Sequence, residues 1–564
     1  MKKRIIYYAC LLLGIMACSD SFTELPAVGA LSEEALANPA GVDLLLIGAY
    51  SVLDGETNTR TGNQFAVEGG NWWMDVITDE AHKGSTDSDQ PDIYALEVYN
   101  WNTGNSFFLG KWEALFGGIN RANSVISLIS TIEDVDLTNQ LAQARFLRGH
   151  FNFELQVSYG NVPYISEENY ANSEYNQPNP GPIWEQIEAD FQFAIDNLPA
   201  SQGADVGRPT SWAAKSYMGK TLLQQQKWGL ALTMLNDVIL NGPYDLNDEY
   251  FENWALATEN SVESIFAIQF TSDSGQSFNG NRSGSITQPA DGALGTCCGF
   301  YQPTQDMVNA FETDASGLPL LDTYNQNDIA NDAGLNDSDP FTPFAGTLDP
   351  RLDYSVGRRG IEFNGFGVMP GKSWVRATFA DISGPYIPKK NVYRSGEDSN
   401  RGTTGAWGQQ SSGINYDIIR FADVLLMAAE AAAESNDLAT AVAYVDRVRL
   451  RAKNMTYIKT EDGSADAANY LIEPYVSFPD QAYAVKAVRH ERRMELSMEG
   501  KRLFDLRRYG NSVQVMNEYV ANEARTIPNF GVKAAVARDA FLLFPIPINA
   551  IDLSGNILDQ NTGY

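Results

Sequence analysis

Histidine and cysteine are scarce in this chain, three and four among 564 residues. His82, His150 and His490 stand far apart, no HExxH occurs and no CxxC pair is present, so ligand spacing offers no zinc site. No GxSxG elbow presents a serine nucleophile. The stretch GFGVMPGKS (365–373) imitates a phosphate loop but carries Phe366 where the spacing requires glycine. Basic residues are short too, 40 Lys+Arg against 71 Asp+Glu, a formal net charge of -31. A field of that sign repels nucleic acid and anionic lipid, which argues against both as partners. Carboxylates are so numerous that no pair singles itself out as the acid and base of a glycosidase.

The apolar run Ile5–Ala17 has 13 residues. A membrane-spanning helix needs about 20, whereas a signal-peptide core is this short. Lys2, Lys3 and Arg4 precede it, and Ile15-Met16-Ala17-Cys18 ends it in a pattern that resembles a bacterial lipobox. The expectation is a signal peptide over 1–17, cleavage before Cys18, lipidation of its thiol, and a lipidated tether over 18–40. Each buried methylene of a lipid chain contributes about 0.8 kcal/mol, so two or three chains anchor durably. Cleavage removes Cys10 and leaves Cys297 and Cys298 as an adjacent pair, either a vicinal disulfide or two thiols.

Helical periodicity dominates the chain beyond the tether. Apolar residues recur at three and four spacing over 42–53, 112–129 and 141–157, the last closed by Gly160 and Pro163. Residues 208–242 read as two antiparallel helices, with Thr210 or Ser211 as the cap, small residues at the crossing and a break at Gln226-Lys227. That is the size and pattern of a tetratricopeptide unit. Residues 415–452 repeat it around Ser435-Asn436-Asp437, and 183–198 joins the first set. The expected organisation is a helical scaffold over 41–242 containing an aromatic-rich loop at 69–102, a loop-rich lobe over 243–414, and a second helical part over 415–564. Within the lobe, Ser264–Phe270 is a short strand or helix, and the Asn/Asp-rich loop 322–339 has oxygen ligands suited to calcium without EF-hand spacing. It reads as a solvated acidic loop, and no cofactor is expected.

The stretch VRHERRMELSMEGKRLFDLRRYG (488–510) interleaves seven Arg/Lys with four Asp/Glu. On a helix Glu491, Glu495 and Glu499 share a face and repel unless cations sit among them, a place that Arg492 and Arg502 can take. Alternating signs on an amphipathic helix indicate an internal ion-pair network, with Gly500 breaking the helix.

The same stretch, with its ERRxELxxEGxRxFDLRRYG run, resembles a motif of the SusD/RagB family of Bacteroidetes outer-membrane lipoproteins. NYDIIRFADVLLMAAEA (415–431), KWEALFGGINRAN (111–123), the segment from Arg145 to Tyr164 and FPIPINAIDLSGNILDQNTGY (544–564) are similar to that family's helices and C-terminus, in its order. The resemblance implies a mainly α fold, about four tetratricopeptide-like pairs supporting a loop-rich binding lobe. It implies no enzymatic activity but the binding of oligosaccharide or polysaccharide at the outer surface of the outer membrane, and a partner in a SusC-like TonB-dependent transporter barrel that the protein caps. A peptide-capture subunit of the same architecture is the alternative, and a glycoside hydrolase the enzymatic one.

A neutral glycan presents CH-rich faces and hydroxyl edges, and its binder needs aromatic platforms rimmed by Asn, Asp, Gln or Arg. Residues 69–102 are dense in both. The candidate contacts there are Trp72, Trp73, Asp79, His82, Tyr94, Trp101 and Asn102. In the lobe they are Tyr301, Arg358, Trp374 and Trp407. Of the adjacent Trp72 and Trp73 one is expected to point inward and one outward, and Trp101, between two asparagines, is expected to be exposed. Trp112, Trp184, Trp212 and Trp228 read as core.

Overall fold

The computed structural model describes residues 33–55, 71–272, 281–292, 294–295, 297–375, 383–397, 401–402 and 411–564. The signal peptide, Cys18 and Trp407 lie outside them.

A stack of helices forms the scaffold. In chain order these are α1 (Pro39–Tyr50), the single turn α2 (Trp72–Asp75), α3 (Ser106–Ile129), α4 (Thr138–Tyr159), α5 (Trp184–Asn197), α6 (Ser211–Gln224) and α7 (Trp228–Asn241). After the lobe come α9 (Phe421–Glu434), α10 (Leu438–Asn454), α11 (Gln481–Leu496), α12 (Arg502–Tyr509), α13 (Ser512–Glu523) and α14 (Ile548–Leu553), with α8 (Gln305–Ala310) inside the lobe. Each scaffold helix packs on the next: α1 on α3, α3 on α4, then α5, α6 and α7, with α7 against α9 and α9 between α10 and α11. Some of the helices begin at a side chain that satisfies one of their free N–H groups. Thr210 caps α6 by accepting from Ala213 N at 3.2 Å, and Asp437 caps α10 by accepting from Thr440 N. The two pairs turn through Gln226 and Asn436, both in the left-handed region. Close crossing depends on glycine: a Cβ on Gly219 would meet Leu235 of the paired helix at 2.4 Å. None of the described helices is long and apolar enough to cross a membrane.

Among the described residues there are three small antiparallel sheets, two joining the lobe to the scaffold and the third within the lobe. Strand β1 (Ala81–His82) pairs with β3 (Gln302–Pro303), β2 (Ser264–Ile268) with β6 (Tyr416–Arg420), and β4 (Val356–Gly357) with β5 (Ile387–Pro388). The helix expected from residue 415 therefore starts later, at Phe421. Ile418 and Ile419 are β-branched and face a strand of the lobe, so they extend the chain until Arg420. Cys297 and Cys298 stand as a vicinal disulfide pair.

The charged stretch is interior. Glu491, Glu495 and Glu499 are all buried, but the cations among them come from elsewhere. Arg420 reaches Glu263 at 2.6 Å, Glu495 at 2.7 Å and Glu499 at 2.9 Å. Arg351 spans Glu491 and Glu495, Arg449 meets Glu491, Arg451 meets Glu495, and Lys390 meets Glu499. Arg492 turns the other way, to Asp423 and Asp505, and Arg502 to Asp79. Helix α11 ends at Leu496, and Met498 and Gly500 take positive φ, so Glu499 leaves the face it would share on a continuous helix. An ion buried without a partner is strongly destabilising, which explains why each of these arginines has a carboxylate.

Candidate functional site

Most of the residues that sequence singled out as sugar contacts are inside the protein. Trp72 and Trp73 are both buried. They project in different directions from the one-turn helix α2, and both directions are covered. Trp73 stacks on Phe544 with centroids 5.4 Å apart and meets Phe107 edge-on, while Trp72 lies against Phe300 and Tyr301. The expectation of one ring in and one out assumes a single buried face; here scaffold and lobe close over both. Trp101 is buried as well, its ring 3.9 Å from that of Phe541 and its Nε1 donating to the Tyr564 hydroxyl at 2.9 Å. The C-terminal segment covers the face that the flanking asparagines suggested was open.

Asp79 and His82 are tied up in the same interior. Arg502 clamps Asp79 through two hydrogen bonds of 2.9 and 2.8 Å, and Arg493 spans Asp79, Glu80 and Asp306. Burial works to raise the Asp79 carboxyl, but these two guanidiniums outweigh it and hold it at about 2. His82 lies between Glu97 and Glu523, 3.0 and 2.8 Å away. Burial opposes its charge, yet the hydrogen bonds to Glu523 and Glu97 push the imidazole up to about 9, so both ring nitrogens donate. Tyr301 donates to Asp75 at 2.6 Å, and burial first, with Glu80 second, pushes Asp75 up to about 7. Arg358 forks onto Asp353 at 2.6 and 2.8 Å and is itself buried.

Three candidates do reach the surface. Asn102 is exposed, although its Oδ1 accepts from Gly104 N, and Tyr94 is half-buried beside Lys533. Trp374 is half-buried, lies edge-on to Phe363 at 5.8 Å, and covers Gly292 so closely that a Cβ there would meet its indole at 2.5 Å. It packs against a small separate core within the lobe that includes Phe363, Met369, Val375 and Tyr393. The loop 322–339 is fixed by protein groups: Asp328 pairs with Arg525, and Arg359 donates to the carbonyls of Asp337 and Asp339. Among the described residues no group of three or more His, Cys, Asp or Glu stands close enough to hold a metal ion.

Sequence reading missed a groove of about 590 Å³ between α3, residues 163–177 and α14. Trp112 and Phe116 form its floor with ring centroids 4.8 Å apart, Tyr175 stands at its edge 52% exposed, and Asn120, Asn176 and Gln177 supply amides. Trp112 is buried, as expected of core, but one edge lines the groove. The signal was in the sequence: Trp112, Phe116 and Asn120 recur every four residues on one stripe, and Tyr175-Asn176-Gln177 places an aromatic beside two amides. Concave apolar surface with a few convergent polar groups is the usual form of a small-molecule site.

A stack of helical pairs carrying a loop-rich lobe, with aromatic and amide side chains at its open surfaces, defines a binding protein built on a helical-repeat scaffold. Residues 262–564, more than half of the chain, match the SusD family, and the chain belongs to it. Residues 33–223 match a SusD-like family described as starch-binding and associating with the outer membrane. The chain is 25% identical to SusD-like protein P2 of Formosa agariphila over the full length of both, and 24% identical to a SusD-like protein of Bacteroides ovatus over 80% of this chain and 77% of that one. Among solved structures, a SusD superfamily protein of Bacteroides vulgatus superposes with a TM-score of 0.69 at 20% identity, covering 93% of this chain and 99% of its own. Surface glycan-binding protein A of Bacteroides thetaiotaomicron, solved with laminarihexaose, superposes with a TM-score of 0.67 at 18% identity, again over 93% and 99%. The fold is that of SusD-like glycan-binding proteins.

Proposed function

We propose that this chain is a cell-surface glycan-binding lipoprotein, anchored through Cys18 in the outer membrane, that captures oligosaccharide or polysaccharide and caps a TonB-dependent transporter for uptake. It binds and does not turn over its ligand. Family membership supports the ligand class, and so do relatives described as binding laminarin or holding laminarihexaose. The lipobox-like Ile15-Met16-Ala17-Cys18 supports the anchor. The observation that carries the reading is the groove of Trp112, Phe116 and Tyr175 rimmed by Asn120, Asn176 and Gln177, which matches the alternation of CH faces and hydroxyl edges on a sugar chain. Trp374 at the surface of the lobe is a second platform; Tyr94 and Asn102 are accessible companions.

Affinity gel electrophoresis of the form starting after Cys18, against a polysaccharide panel that includes laminarin, tests this. Retardation by one polymer is expected. Its loss in Y175A places the sugar in the groove, and its loss in W374A places it on the lobe. No retardation by any polymer, together with binding of peptides, moves the function to peptide capture. Release of shorter sugars by the purified protein overturns the non-enzymatic reading.

A further inference from the structure

A second cavity, of about 50 Å³, lies inside the joint between the N-terminal helices and the turn before α12. Its polar lining is Asn71, Lys111, His150, Glu154, Lys220, Tyr416 and Lys501, three lysines with one carboxylate. That balance is the reverse of the chain as a whole, which carries a net charge of -31.

The carboxylate is already engaged. Glu154 Oε2 accepts from Lys111 Nζ at 2.9 Å and from Asn71 Nδ2 at 3.1 Å. Lys501 donates to the Ile418 carbonyl and stands 3.8 Å from Asp423, whose other oxygen accepts from Arg492 at 2.6 Å. His150 sits 2.5 Å from the Tyr217 hydroxyl, and burial pushes its imidazole down to about 4, so it adds no charge at neutral pH. The Tyr416 hydroxyl donates to the Glu499 carbonyl. Lys220 alone of the three lysines has no hydrogen-bond or ion-pair partner among the described residues. Its ammonium lies 5.1 Å from the Phe153 ring centre and 5.6 Å from that of Tyr217. Ring faces attract a cation but supply no acceptor, and Lys220 is half-buried, so its ammonium is left for solvent or an anion to satisfy. Burial, and then the charge of Lys501, push Lys220 down to about 8.

We infer that this cavity binds a small monovalent anion of the size of chloride or formate, held by Lys220 in the field of Lys501 and Lys111. One water needs roughly 10–15 Å³ of such space, so there is room for the anion with a water or two. The anion completes the charge of a joint where the N-terminal part (Leu53, Asn71), α4, α6 and the Gly500-Lys501 turn meet.

The experiment follows thermal unfolding of the mature chain at pH 7 and constant ionic strength, with sodium gluconate replaced stepwise by sodium chloride or sodium formate. A saturable rise in Tm is expected with the small anions and none in K220M. Equal behaviour in gluconate and chloride overturns the inference, since screening alone then accounts for the salt effect, and so does a saturable rise that persists in K220M. Crystals of the unaltered protein soaked in bromide give an independent readout that stands whether or not K220M folds. An anomalous peak about 3.3 Å from Lys220 Nζ is expected, within reach of an N–H donor to a large anion. A cavity holding water alone at saturating bromide overturns it.

Discussion

His82 and Glu523 are 441 positions apart in sequence and 2.8 Å apart in the fold. The imidazole joins strand β1 to the end of α13, and its other nitrogen holds Glu97. Glu523 also accepts from the backbone N–H groups of Gln305 and Asp306 at the start of α8, so one buried carboxylate gathers three distant parts of the chain.

This relationship predicts an alkaline loss of stability. The folded value for His82 is about 9, against about 6.5 for an unfolded histidine. A group whose value is raised by folding stabilises fully below its unfolded value, and that contribution disappears as pH rises through the folded one. Between pH 6.5 and 9.5 urea unfolding should lose about 3 kcal/mol from this source. H82Q should be less stable at pH 6.5 and should lack that slope. A wild-type slope retained in H82Q assigns the effect to another group.

The buried cluster around Arg420 sets a contrast with surface pairs. Arg420 meets three glutamates, and each is buried. R420M leaves them without their shared cation and is expected to cost roughly 3–5 kcal/mol. Lys459 and Asp466 form a pair of similar geometry but are 52% and 40% exposed, and K459A should cost under about 1 kcal/mol. Denaturant midpoints of the two variants check the difference, and comparable losses would count against burial as its origin.

Much of the scaffold was legible because local signals and tertiary packing agree. Thr210, Asp437 and the 3.6-residue apolar repeat all point to helices that neighbouring helices then cover. The interior character of residues 488–510 was legible from its alternating signs, but the partners were not. Arg351, Arg420, Arg449 and Arg451 lie 40 or more positions away, and no periodicity of α11 encodes them. The site fared worst for a related reason. A tryptophan is equally suited to a sugar face and to a core, and Trp101 is decided by Tyr564 and Phe541, which approach only in the folded chain.

Trp101 and Tyr175 separate the two uses of aromatic residues directly. W101A removes a buried ring packed on Phe541 and orphans the Tyr564 contact, and is expected to cost roughly 3–5 kcal/mol. W101F keeps most of the packing and should fold, with a lowered Tm. Because Trp101 faces inward, W101F should leave polysaccharide retardation unchanged. Y175A removes a ring that is 52% exposed, should move stability by no more than about 0.5 kcal/mol, and should abolish retardation. The pair is measured by thermal melting and affinity electrophoresis on the same preparations. Loss of retardation in W101F at unchanged Tm, with Y175A binding normally, would return the sugar site to residues 69–102 and require Trp101 to swing out of its pocket when ligand arrives.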